Sequence, residues 1–155
     1  MLDKSCDQVR AISHNLVPPA SEKFDLRTAT SDYCLEMNAI HQPKIAFQYV
    51  GKEVDLPKNV EVNLFRITQE LVTNSVKHAE AKEINVQLSM LDNMLQLTVE
   101  DDGKGYDLDN ITSEGIGIGN IRYRVDYLNG ELDVSSNEQG TYVNILIDKS
   151  RFNED

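Results

Sequence analysis

The stretch RITQELVTNSVKHA, Arg66 to Ala79, has the repeat of a helix and a row of polar residues that a merely solvated helix has no need of. At about 100° per residue from Arg66, the side chains of Thr73, Lys77, Glu70 and Asn74 fall within an arc of about 100°. Leu64, Phe65, Ile67, Leu71, Val72, Val76 and Ala79 fill the opposite side. So narrow a stripe, backed by apolar residues, predicts a helix buried in a layer with one edge turned outward. That edge bears an acid, an amide and a base. One reading is a solvated face with a helical ion pair between Arg66 and Glu70, worth about 0.2–0.5 kcal/mol. The other is a carboxylate and an amide oxygen one turn apart, holding a hard cation or a water against phosphates. Magnesium needs only one or two protein oxygens when phosphates supply the rest.

The elements around this helix follow from the same periodicities. Leu2 to Val17 has helical character and stops at Pro18-Pro19, because the residue before a proline is pushed out of the helical region. A second helix is predicted from after Ser21 to about Ile40, with Leu26, Ala29, Tyr33, Met37 and Ile40 at helical spacing and Pro43 beyond its end. KIAFQYV alternates Ile45, Phe47 and Tyr49 with polar neighbours, which predicts a strand with one buried face. INVQLSM and MLQLTVE alternate in the same way around Asp92-Asn93 and make a hairpin. After the glycine-rich stretch 103–119 comes a helix at about Asn120 to Leu128, then the strands ELDVSS and TYVNILID joined through NEQG. About five strands and three or four helices in this order predict an α/β two-layer sandwich, a mixed and mostly antiparallel sheet with helices on one face. A doubly wound parallel sheet fits worse, because the hairpin and the final two strands are antiparallel.

A chain of 155 residues holds one domain with a real core. Hydrophobic residues at 40% and charged residues at 26% are ordinary for a soluble protein, and no apolar run approaches the roughly 20 residues of a spanning helix. The net charge of -11 repels phosphate backbones and anionic lipid, so nucleic acid is a poor partner, while a small anion at a local site is not excluded. Cys6 and Cys34 have no motif spacing and read as free thiols of a cytoplasmic protein. The N-terminus MLDKSCDQVR carries charges where a signal peptide needs an apolar core.

Two glycine motifs follow the hairpin. In EDDGKGYD, Gly103 and Gly105 let the chain turn sharply or approach a flat ligand, and Asp101 sits just before the turn. A carboxylate there can accept a hydrogen bond from an exocyclic amine such as that of adenine, although an Asp- and Gly-rich surface turn has the same composition. GIGIGNIRYRV places Gly115, Gly117 and Gly119 before a helix starting near Asn120, where free amides and the helix dipole can face an anion. The third glycine is misplaced for a dinucleotide fingerprint, and no P-loop sequence exists. Gly140-Thr141 opens the last strand.

The order E-x-x-x-N on a helix, D-x-G-x-G, G-x-G-x-x-N and G-T before a final strand is far more specific than any of its parts. From about Phe24 to Asp148 it resembles the ATP-binding catalytic domain of bacterial sensor histidine kinases, a short-lid branch of the Bergerat-fold superfamily shared with gyrase, mismatch-repair proteins and the ninety-kilodalton heat-shock chaperones. The resemblance implies ATP and Mg²⁺ as cofactors, with Asn74 coordinating the metal and Glu70 near the metal and the reacting phosphate. Lys77 and His78 match positions near the phosphates. Asp101 matches the residue that reads the adenine amino group, beside the turn of Gly103 and Gly105, and Thr141 a water-linked adenine contact. Gly115, Gly117, Gly119 and Asn120 match the hinge of a lid formed by the segment 106–115, which a nucleotide would order.

The same resemblance implies an enzyme, a protein-histidine kinase that donates the γ-phosphoryl group to a histidine on a dimerisation helix, for relay to an aspartate of a response regulator receiver domain. That helix is missing from the stretch. Residues 1–20 resemble the tail of the dimerisation hairpin and residues 21–155 the catalytic domain. His14 is a poor phosphoacceptor, being followed by Asn15 near a helix end, and His41 has no metal-ligand neighbours. The expected form is a monomeric cytoplasmic module without its own acceptor, from a parent that an inner-membrane anchor would suit. Two rival readings are an anti-sigma-factor-type serine kinase, which has no use for ISHNLVPP, and a nucleotide-binding docking module without transfer activity.

Overall fold

The computed structural model describes residues 24–40, 43–77, 79–105 and 118–153. The expected first helix at 2–17, the boundary near residue 20, Cys6, His14 and His41 lie outside these residues. The described elements are α1 (Leu26–Ile40), β1 (Lys44–Gly51), α2 (Lys58–Lys77), β2 (Glu83–Leu91), β3 (Met94–Asp101), α3 (Ile118–Tyr127), β4 (Glu131–Asn137) and β5 (Gly140–Asp148), then a 3₁₀ turn, Lys149–Asn153. No helix among the described residues is long and apolar enough to cross a membrane.

The five strands form one sheet in the order β1-β2-β3-β5-β4. Only β1 and β2 run parallel; every other neighbouring pair is antiparallel. The mostly antiparallel mixed sheet expected from the pattern is the one observed. Its registers line up the buried face in rows. Tyr49, Leu88, Leu97, Ile145 and Leu132 make one row, and Phe47, Val86, Val99, Val143 and Val134 the next. In the third, Ile45 and Ile84 lead to Asp101, Thr141 and Ser136, so that the core-facing surface turns polar at one end of three strands. Side chains alternate across a strand, so these polar groups point toward the helical layer and not to the wet face.

Helix α2 lays Leu64, Ile67, Leu71 and Val72 into the core, all at or below 2% exposure. Helix α3 adds Ile121 and Val125 and ends in a left-handed Asn129 (φ 55°), with Gly130 N–H donating back to the Val125 carbonyl, a Schellman-type stop. Helix α1 is capped by Asp25, whose Oδ2 accepts from the Thr28 amide at 3.1 Å and the Thr28 hydroxyl at 2.6 Å. Its buried line is Leu26, Thr30 and Cys34, with Ala29, Tyr33 and Met37 only partly covered and Ile40 exposed. The expected stripe is therefore displaced by one residue. Asn38 then pairs with the edge strand: its amide Nδ2 donates to the Ile45 carbonyl and its Oδ1 accepts from the Ile45 N–H, which satisfies backbone groups that no further strand among the described residues covers.

Cys34 is a free thiol, and burial pushes its pKa up to about 12. The thiolate is the nucleophile, so Cys34 is expected to stay unmodified by an alkylating reagent at pH 8 in the folded chain and to react once the chain is unfolded. Peptide mass mapping checks this; an adduct formed on Cys34 at the rate of a free thiol under native conditions would contradict the packing of α1.

Candidate nucleotide site

The polar end of the third row is built around Asp101. Its carboxylate, only 6% exposed, accepts from the Ser75 hydroxyl at 2.6 Å on Oδ2, and from the Gly103 amide at 2.9 Å and the Thr141 amide at 3.3 Å on Oδ1. The Thr141 and Ser136 hydroxyls lie 3.0 Å apart alongside. Three donors from three elements therefore hold one carboxylate in a single orientation, which is what a group that reads a ligand's hydrogen-bond pattern requires.

The glycines around it are demanded by protein backbone. A Cβ on Gly103 would come within 2.1 Å of the Ala79 carbonyl oxygen, and the Lys104 amide donates to that same oxygen at 2.8 Å. A Cβ on Gly105 (φ +71°) would meet the Asn137 carbonyl oxygen at 2.1 Å, and one on Gly140 (φ +145°) the Asp101 carbonyl oxygen at 2.0 Å. The turn after β3 is thus pressed on one side against the end of α2 and on the other against the β4–β5 connection. Asp102 anchors it further, its Oδ1 accepting from the Glu83 and Lys82 amides, and these bonds hold its carboxyl below the usual range.

Along α2, Asn74 is buried beside Ser75 and Glu70 is half-buried one turn earlier, while Lys77 is exposed. Glu70 lines a cavity of about 310 Å³ together with Arg66, Gln69, Thr73, Asn120, Ile121 and Arg124. The Thr73 hydroxyl meets the Tyr33 hydroxyl at 3.1 Å; burial is the main cause of the raised pKa of that phenol. The structure therefore ties Asp101, Gly103 and Thr141 together directly, places Asn74 next in sequence to Ser75, which donates to Asp101, and brings Glu70 and Asn120 into one cavity. Gly119 opens the first turn of α3, where a Cβ would meet nothing within 4 Å, so packing does not require a glycine there. His78, Gly115, Gly117 and the lid segment 106–115 lie outside the described residues.

The sequence reading passed over Ser75, although a signal was present. At about 180° from Arg66 it stands in the middle of the apolar arc of α2, where a hydroxyl must find a buried acceptor. Asn63, Gln69 and Arg124 had no such signal.

A fixed carboxylate at the end of a buried strand row, beside a helix carrying an amide and an acid, marks one end of a two-layer α/β fold whose class the comparisons with known proteins identify. Residues 59–151 match the family described as histidine kinase-, DNA gyrase B- and HSP90-like ATPase, and the chain belongs to that family. It is 36% identical over 110 residues to the signal transduction histidine-protein kinase/phosphatase DegS of Bacillus subtilis, covering 67% of this chain and 29% of that protein. To the sensor protein VraS of Staphylococcus aureus it is 30% identical over 126 residues, 80% of this chain and 35% of the relative. The chain thus spans about a third of the length of these relatives. The solved histidine kinase domain of the Erythrobacter litoralis blue-light-activated kinase superposes with a TM-score of 0.73 at 27% identity, covering 87% of this chain and 66% of that one.

Proposed function

We propose that this chain is the ATP-binding catalytic module of a two-component sensor histidine kinase, passing the γ-phosphoryl group of ATP to a histidine on a dimerisation helix, for relay to a response regulator. The observation that carries the reading is the Asp101 carboxylate, held by Ser75, Gly103 and Thr141 at the end of β3. Its orientation suits acceptance of the adenine amino group, with Thr141 beside it for a second, water-linked contact. Asn74 and Glu70 offer hard oxygen donors one turn apart, and these fit a magnesium ion that also binds phosphates. The ion, when bound, offsets phosphate charge. Lys77, His78 and the amides near Gly115, Gly117, Gly119 and Asn120 would add to that offset in a chain whose net charge is -11. Catalysis on this reading is positioning and electrostatics, with the acceptor imidazole supplied by the dimerisation domain, of whose helical hairpin residues 1–20 would be the C-terminal remnant.

Calorimetric titration of ATP with and without Mg²⁺ tests the reading. Wild-type chain is expected to bind ATP more tightly with Mg²⁺, and Asn74→Ala to bind with an affinity that Mg²⁺ changes by less than about twofold. An undiminished magnesium effect in the folded variant would remove Asn74 as the metal ligand. No ATP binding by folded wild-type chain would remove the function.

A further inference from the structure

The cavity between α2 and α3 carries charge that the proposed site residues do not explain. Arg66 and Arg124 bring two guanidinium groups to its walls, and Glu70 is the one carboxylate among the residues that line it, in a chain of net charge -11. Arg124 is also aimed. Its Nη1 donates to Asn63 Oδ1 at 2.9 Å, and Asn63 Nδ2 donates to the Asn59 carbonyl at 2.7 Å, which fixes the amide so that its oxygen faces the guanidinium. One N–H of the fork is used in this way, and a planar guanidinium with further donors is well suited to a tetrahedral oxyanion. Asn120 lines the same cavity from the first turn of α3, where backbone amides lack intrahelical partners and the helix dipole favours negative charge.

Position along α2 says which anion. Ser75 touches Asp101, and Arg66 lies nine residues earlier, about 13 Å along the axis. Between them come Asn74 and Glu70. From the carboxylate suited to a base, through the amide suited to a metal, to the arginines, the groups follow the order of the parts of an extended nucleoside triphosphate.

We infer that this cavity is the terminal-phosphate pocket, in which Arg124 binds the third phosphate of the nucleotide and Asn63 is the positioning residue that directs it. The inference rests on the ATP reading above, and adds that the chain distinguishes nucleoside triphosphate from diphosphate through α3. The plainer role for the Arg124–Asn63 contact is a clamp between two helices, and the choice of variant separates the two. Arg124→Gln keeps an amide that can still bond Asn63 but gives up the charge and the fork.

The experiment is calorimetric titration of ATP and of ADP, at one fixed Mg²⁺ concentration, into the full chain, Arg124→Gln and Asn63→Ala, with thermal unfolding of each. Arg124→Gln is expected to weaken ATP about tenfold or more while ADP stays within about twofold, and Asn63→Ala to weaken ATP about threefold with ADP unchanged. An ATP-to-ADP affinity ratio that stays within about twofold of wild type in either folded variant overturns the inference and leaves the ATP reading standing. Wild-type chain that binds neither nucleotide overturns both.

Discussion

Asp101→Asn is expected to keep the wild-type fold and to lose the preference for ATP over GTP. The two oxygens of Asp101 have separate partners: Oδ1 accepts from the Gly103 and Thr141 amides, Oδ2 from the Ser75 hydroxyl. An asparagine can put its carbonyl oxygen at the first position and its NH₂ at the second, where the Ser75 hydroxyl rotates from donor to acceptor. Protein contacts are then satisfied, at a cost on the order of 1 kcal/mol for the weaker, uncharged bonds. On the proposed reading the ligand contact is not satisfied. An amide N–H now faces the amino group of adenine, donor against donor, whereas the carbonyl at the same place in guanine accepts from it. ATP affinity is expected to fall by roughly 100-fold, with GTP gaining relative to it. Competitive titration of the two nucleotides checks this, and an unchanged ratio in a variant that still unfolds cooperatively from a native fold would take Asp101 out of base recognition.

The second large effect belongs to a glycine. Gly140→Ala puts a Cβ 2.0 Å from the Asp101 carbonyl oxygen, on a backbone at φ +145° that side-chain-bearing residues rarely adopt. Neither the close approach nor the dihedral relaxes without moving the end of β3 or β5, so a loss of about 2–4 kcal/mol is expected. In a chain of this length that lowers the melting temperature by roughly 5–15 °C. Gly119→Ala is the control, since nothing lies within 4 Å of its Cβ and the residue is helical; it should melt at or slightly above the wild-type temperature. Calorimetric or dichroism melts decide, and Gly140→Ala melting with the wild type would contradict the described crowding around Asp101.

Much of this fold was legible before the structure. The Asp92-Asn93 hairpin, the final antiparallel pair and the helix before it stand where their periodicities put them, with ends within about two residues, whereas α2 ends as expected but begins at Lys58, eight residues before the Arg66 stretch. Helix α1 was placed correctly, but its buried face was read one residue off. Leu26 begins both the predicted and the observed line, and only docking against Phe65 and the edge of the sheet selects Thr30 and Cys34 over Ile40. The motif residues Asp101, Gly103 and Gly105 were found from their order, while the reason for Gly103 was not. The atom it makes room for is the Ala79 carbonyl, 24 residues away in sequence.

What the sequence determined by itself is therefore the order of the described elements, the buried side of the strands and of α2, and the family, because hydrophobic period, turn chemistry and motif order are local properties of a chain. Tertiary structure alone decided that β5 lies between β3 and β4, that β1 runs parallel to β2, that Ser75 bonds Asp101, and that Arg124 bonds Asn63 beside the cavity it lines. Each of these joins segments distant in sequence. Strand pairing and side-chain hydrogen bonding reward only the arrangement in which the whole buried face closes at once, and no window of sequence contains that condition.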